Sequence, residues 1–165
     1  MIELIVLDVD GTLTDGGITY TSNGDEQKTF DVTDGLAIST WTKKFDKKAA
    51  IITGRNSLIV ERRAKELKIS FLFQGVEDKE HVLENILKKE NISWEQVAAI
   101  GDDLNDYKML KKAGLSFCPS SASKYIKGIV DVVCDSSGGK GAVREMIEYI
   151  IKKDNLEEEF IKSWL

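Results

Sequence analysis

Six short, predominantly apolar runs punctuate this chain, and amphipathic stretches separate them. The runs are Leu4–Leu7, Ala49–Ile52, Phe71–Phe73, Val97–Ile100, Leu115–Cys118 and Val132–Cys134. Each is too short for a buried helix and lacks the polar alternation of a half-solvated strand. Strands of that kind belong to a parallel sheet covered on both faces. The intervening stretches at 36–44, 58–67, 79–89, 106–112, 124–128 and 142–152 carry helical apolar spacing. Strand–helix alternation predicts an α/β fold, a three-layer α/β/α sandwich around a central parallel sheet. Ligands in such sheets bind beyond the carboxyl ends of the strands.

With 165 residues, 42% of them hydrophobic, the chain is sized for one domain spanning residues 1–165. The net charge is −5, and the Lys and Arg residues are scattered rather than clustered. No basic patch suggests nucleic acid. No apolar run approaches the roughly 20 residues that cross a bilayer. The start, MIELIVLDVD, lacks the basic region and small-residue cleavage site of a signal peptide. Cys118 and Cys134 stand singly in apolar contexts and read as reduced core residues. A cytoplasmic protein is therefore expected. The one histidine, His81, sits in a helical pattern, so Ser-His-Asp and Cys-His chemistries find no support.

One segment breaks the alternation. Residues 16–31 have strand-like residues on both sides of Asn23-Gly24, the strongest short hairpin signal. A β-hairpin therefore protrudes just after the first strand, at the ligand-binding edge. An isolated hairpin is marginal in water. Its position suggests a lid or a contact between copies of the chain.

Acidic residues gather where strands end. Asp8 and Asp10 follow Leu4–Leu7 two residues apart, so both carboxylates can face one site. That pair alone also suits an acidic turn or a calcium loop. The fourth apolar run ends in Gly101-Asp102-Asp103-Leu104-Asn105-Asp106, a second acidic cluster at the same edge. A helix cap explains one of these acids and not the rest. Clustered carboxylates need a cation, and an all-oxygen donor set suits Mg²⁺. The remaining strand ends carry Thr53-Gly54-Arg55, an anion cradle, and Lys79, a cation at a helix start where the dipole disfavours it. An anionic partner accounts for that lysine.

Asp8-Val-Asp10-Gly11-Thr12, Thr53, Lys79 and Gly101-Asp102-Asp103-x-x-Asp106 resemble the four motifs of the haloacid dehalogenase superfamily of phosphotransferases. The hairpin in place of a cap domain resembles one family within it, the 3-deoxy-D-manno-octulosonate 8-phosphate (KDO 8-phosphate) phosphatases. So do "TDGG" after the first motif, "ITGR", "FQG" before the lysine, and "GGKGAVRE" at Gly138–Glu145. The resemblance runs from about Glu3 to Ile150. It implies that Asp8 is the nucleophile and Asp10 the general acid and base. It implies that Mg²⁺ is held by Asp8, Asp102 and the backbone carbonyl of Asp10. Gly11, Thr53, Gly54, Arg55, Lys79 and Asp34 are implied to bind phosphate or sugar. Asp103, Asn105 and Asp106 would hold metal-bound waters or Lys79. The substrate implied is an acidic keto-deoxy sugar phosphate, most of all KDO 8-phosphate, and the assembly a homotetramer. The alternative substrate is the 9-phosphate of a nine-carbon sialic-type sugar acid. Thr33 stands where the family has an arginine, and the tail Asn155–Trp164 is closer to the nine-carbon group. A phospho-receiver or a silent partner domain would share the sheet and acid clusters. Receivers, however, need no acid two residues after the phosphorylated aspartate, and a silent domain would have lost a motif residue.

Overall fold

The computed structural model describes all 165 residues. Strand β1 (Leu4–Leu7) leads into a small hairpin of β2 (Thr19–Tyr20) and β3 (Glu26–Gln27). Helix α1 (Val32–Ser39) and β4 (Lys48–Ile52) follow, then α2 (Leu58–Glu66), β5 (Phe71–Phe73), α3 (Lys79–Glu90) and β6 (Val97–Ile100). The chain continues through α4 (Tyr107–Lys112), β7 (Leu115–Cys118), α5 (Lys124–Lys127) and β8 (Val132–Val133). It ends with α6 (Ala142–Lys153) and α7 (Glu157–Lys162).

The main sheet has six strands in the order β5-β4-β1-β6-β7-β8, every neighbouring pair parallel. The chain leaves β1 in one direction and crosses back over it to β6. That reversal puts a crevice at the carboxyl ends of β1, β4 and β6, where ligands bind in open α/β sheets. The sheet is buried on both faces. Ile5 and Leu7 of β1 join Ile38, Trp41, Val143, Met146 and Ile150 in one apolar cluster. Leu4 and Val6 join Leu83, Ile86, Met109 and Ile126 in the other. Alternate residues of one strand thus feed two cores, which is why the strand reads as unbroken apolar sequence.

Local detail departs from the periodicity in three places. Helix α1 begins at Val32, four residues before the apolar spacing starts, because the Asp31 carboxylate accepts from the Thr33 and Asp34 amides. Its continuation, Thr40–Lys44, winds into a wider π turn. There the Trp41 indole donates to the Lys48 carbonyl, and the Thr42 hydroxyl donates to the carbonyls of Ile38 and Leu67. The hairpin turn has three residues rather than the two that Asn23-Gly24 suggests. The Thr21 amide donates to the Asp25 carbonyl at 2.8 Å, and Gly24 alone takes positive φ, at 85°.

The tail folds back on its own chain. Phe160 stacks on Phe45 with ring centroids 6.3 Å apart. The Trp164 indole donates to the Thr40 hydroxyl at 3.2 Å, under the Lys44 ammonium.

Asp34 joins two helices. Its carboxylate, 1% exposed, accepts from the Arg144 amide at 2.8 Å in the first turn of α6. Helix α6 opens on Gly141, which has no side chain to cap it, so α1 supplies the cap across the interface. The second oxygen of Asp34 is buried without a partner. Burial, with a smaller push from Asp31, raises its pKa from 3.8 to about 6. Between those values the folded protein keeps a proton that the unfolded chain has released. Stability from this group is therefore present at low pH and declines as pH rises towards 6. Asp34→Asn should flatten that slope. Thermal melts from pH 4 to 7 should show the variant gaining a few degrees on the native protein as pH rises. Parallel curves would contradict the assignment.

Candidate functional site

The carboxyl ends of β1 and β6 lie side by side, with Leu7 opposite Ile100 in register. Asp8 follows one strand and Gly101-Asp102 the other, so a parallel pairing converts two distant acidic clusters into one. An oxygen from each of Asp8, Asp102 and Asp106 lies within 4.8 Å of the others. Lys79 enters from the start of α3, its side chain wholly buried. Its ammonium is 2.6 Å from Asp8 Oδ1 and 2.6 Å from Asp106 Oδ1. The dipole cost of a cation at a helix start is met by these partners and by the Asp78 cap. Burial opposes the Lys79 charge, but Asp8 and Asp106 outweigh it and hold its pKa above the ordinary lysine value.

Asp106 is fully occupied. Its second oxygen accepts from the amides of Asp102 at 3.0 Å and Asp103 at 3.3 Å. It therefore braces Lys79 and the loop after β6. Asp103 is exposed and caps the turn at Leu104, at 2.8 Å from that amide. Asp8 and Asp102 remain with surplus negative charge. Burial, then the charge of Asp106, push Asp8 well above the usual carboxylate range. Burial raises Asp102 as well, against the hydrogen bond that the Thr12 hydroxyl donates.

One lysine cannot balance three clustered carboxylates, two of them buried, and the cluster contains neither His nor Cys. A hard divalent cation fits such a donor set, with Mg²⁺ the natural choice where few protein ligands leave room for water and phosphate. The packing is specific to that role. A Cβ on Gly11 would lie 2.1 Å from Asp102 Oδ2, and its φ is +93°. Only glycine lets the loop after β1 pass so close to the second acid.

The cradle residues assemble around this cluster. Thr53 is buried at the end of β4, its amide 3.0 Å from the Phe73 carbonyl. A Cβ on Gly54 would lie 3.9 Å from Asn105 Nδ2, which brings the second and fourth strand ends together. The Arg55 guanidinium reaches the hairpin, 3.1 Å from Glu26 Oε1 and 3.4 Å from the Tyr20 hydroxyl. Asp34 stands apart. Its carboxylate serves the amides of α6 and takes no part in this cluster.

Some contacts at the site could not be read from the sequence, and Lys28 carried no signal there at all. Lys28 turns inward from the hairpin onto Asp10. The Thr12 hydroxyl donates to Asp102 Oδ1 at 3.3 Å. The loop at Gly138-Gly139 presses on the loop after β1, the Gly139 amide donating to the Thr12 carbonyl at 3.0 Å. A Cβ on Gly138 would lie 2.0 Å from the Gly11 carbonyl oxygen, a backbone atom that no rotamer change removes. Gly138→Ala should cost about 1–3 kcal/mol of stability and displace Gly11. The checks are a denaturant melt and a Mg²⁺ titration, the second showing weaker binding. An unchanged titration would mean that the loop is only a neighbour.

Comparison with known proteins identifies the family. The family model for haloacid dehalogenase-like hydrolases matches residues 24–147. The 3-deoxy-D-manno-octulosonate 8-phosphate phosphatase KdsC of Haemophilus influenzae is 40% identical over 151 residues, covering 92% of this chain and 83% of that protein. The KdsC of Escherichia coli K12 is 41% identical over 150 residues, covering 91% and 79%. A crystal structure of the Moraxella catarrhalis phosphatase, in complex with magnesium, phosphate and KDO, superposes with a TM-score of 0.95. It is 42% identical and covers 99% of this chain and 94% of that one. The chain belongs to the haloacid dehalogenase-like hydrolases and, within them, to the family of 3-deoxy-D-manno-octulosonate 8-phosphate phosphatases.

Proposed function

We propose that this chain is a Mg²⁺-dependent phosphatase that converts KDO 8-phosphate to KDO and phosphate through an aspartyl-phosphate on Asp8. The observation that carries it is the buried Lys79 clamped between Asp8 and Asp106 beside a second unbalanced acid, Asp102. The eight-carbon substrate rests on the relatives, at about 40% identity over most of the chain.

The Asp8 and Asp102 carboxylates and the Asp10 carbonyl would hold the cation. When bound, it offsets the repulsion between the Asp8 carboxylate and the phosphate dianion and orients both. Lys79 favours the ionised form of Asp8 and fixes its carboxylate for attack. An Asp8 oxygen then bonds to phosphorus while the bond from phosphorus to the sugar oxygen breaks. Asp10, protonated, gives its proton to that departing oxygen. As a carboxylate, Asp10 next takes a proton from the water that attacks phosphorus. The bond to Asp8 breaks, phosphate leaves, and Asp10 is protonated again for the next cycle. Gly11, Thr53, Gly54 and Lys79 bind phosphate oxygens, and Arg55 pairs with the sugar carboxylate. Asn105 and Asp103 would stand near the cation as polar groups able to hold water.

The test is phosphate release from KDO 8-phosphate compared with a nine-carbon 9-phosphate acid. A higher kcat/KM for the eight-carbon substrate supports the reading, and the reverse order replaces it with the nine-carbon one.

A two-stranded hairpin cannot close its own site, and Ile18 and Tyr20 stand exposed on it. The enzyme is read as a homotetramer in which hairpins cover neighbouring sites. Replacing residues 18–30 with a short Gly-Ser turn should lower the solution mass and reduce kcat/KM by at least about tenfold, the effect of losing substrate orientation. A fully active monomer would contradict this. No helix is long and apolar enough to cross a membrane. A cytoplasmic location is part of the proposal, in keeping with two buried, unbridged cysteines.

A further inference from the structure

Lys28 follows β3 directly, on a hairpin whose side chains are mostly solvated. Its own side chain is only 1% exposed. The ammonium lies 2.5 Å from Asp10 Oδ1 and 3.2 Å from Glu26 Oε1. The same Glu26 oxygen receives Arg55 Nη2 at 3.1 Å. Asp10, Lys28, Glu26 and Arg55 therefore form a chain of alternating charge from the acid–base aspartate to the arginine at the second strand end. Turning a lysine inward gives up hydration and up to about 2 kcal/mol of side-chain freedom. A hairpin with two-residue strands does not need that, since a lysine there can extend into water. The inward position has to be explained by what it holds.

It holds Asp10. The Lys28 ammonium is the one hydrogen-bond partner of the Asp10 carboxylate within the chain. Asp10 stands on the loop after β1, next to Gly11 at φ +93°, and is a fifth exposed. Without Lys28 that side chain is free to rotate. With Oδ1 fixed, Oδ2 is left open to exchange a proton with the leaving oxygen. Orientation of a catalytic group is worth orders of magnitude in rate.

We propose that Lys28 is a positioning residue, one that fixes the Asp10 carboxylate for proton transfer and ties its orientation to the seating of the hairpin. The proposal rests on the reading of Asp10 as acid and base. Its signature is a dependence on the leaving group. A nitrophenolate departs without a proton, whereas a sugar or alkyl alkoxide needs one. The kcat/KM for each reports only the steps up to that departure.

The experiment compares a simple alkyl phosphate with p-nitrophenyl phosphate in Asp10→Asn, Lys28→Gln and Lys28→Arg. Asp10→Asn should lose about 10²–10⁴-fold on the alkyl substrate and far less on the aryl one. Lys28→Gln should lose about 10–100-fold on the alkyl substrate, with a loss on the aryl substrate at least about tenfold smaller. Lys28→Arg, which keeps the charge and the donor, should recover most of the alkyl activity. Lys28→Met, which keeps the buried stem, gives the same reading if the Gln variant alters assembly. Equal losses on both substrates in Lys28→Gln and Lys28→Met, with Asp10→Asn still selective, overturn the role of Lys28 alone. Equal losses in Asp10→Asn overturn the reading of Asp10, and the proposal with it.

Discussion

Asp8→Asn should lose at least about 10⁴-fold in turnover, the scale seen when a covalent nucleophile is removed, while the fold survives. An amide is a poor nucleophile towards phosphorus, and it weakens the cation site as well. The fold should tolerate it because Asp8 is destabilised where it stands. Burial and the charge of Asp106 both oppose its ionised form, and only Lys79 favours it. An asparagine keeps the volume and an acceptor for Lys79. The melting temperature without Mg²⁺ should therefore match or exceed that of the native protein. Circular dichroism melts and phosphate release check both halves. Retained turnover would remove Asp8 from the chemistry, and an unfolded variant would mean that its charge is structural.

Lys79→Met should destabilise the protein by about 3–5 kcal/mol, the usual result of stripping the partner from a buried ion pair. For a chain of 165 residues that corresponds to a fall of roughly 6–20 °C in Tm. Lys79 is wholly buried, and its ammonium contacts two carboxylates at 2.6 Å each. Methionine fills the same stem but leaves Asp8 and Asp106 facing one another without compensation. Mg²⁺ should restore part of the loss, since a cation near Asp8 supplies charge that the lysine no longer gives. Activity should still be poor, because the proposed phosphate contact of Lys79 is lost along with its hold on Asp8. The measurement is thermal unfolding with and without Mg²⁺. A variant as stable as the native protein would show that the triad is not a buried ion pair in solution.

The central strands were legible because each is buried on both sides, which leaves an unbroken apolar run such as Ile5-Val6-Leu7 or Ala98-Ala99-Ile100. Parallel pairing then brings the ends of those runs to one edge, so Asp8, Thr53, Lys79 and Asp102 could be gathered without knowing a single distance. What stayed hidden depends on contacts far apart in sequence. Lys28 in the polar stretch Asp25-Glu26-Gln27-Lys28 has the look of a solvated lysine, and only the folding of the hairpin over the site turns it onto Asp10. Asp34 sits among motif residues, yet α6 claims it through an amide 110 positions away. The tail shows the same limit. Glu157-Glu158-Glu159 hides an apolar side formed by Leu156 and Phe160, which pack against the larger core cluster.

The proposed chemistry requires one divalent cation between the ends of β1 and β6, against Asp8 and Asp102. Crystals grown with Mn²⁺ test it through the anomalous difference map. A single peak is expected beside those two carboxylates, with Asp106 still bound to Lys79. A map with no peak there, or with the ion on Asp106 in place of Lys79, would contradict it.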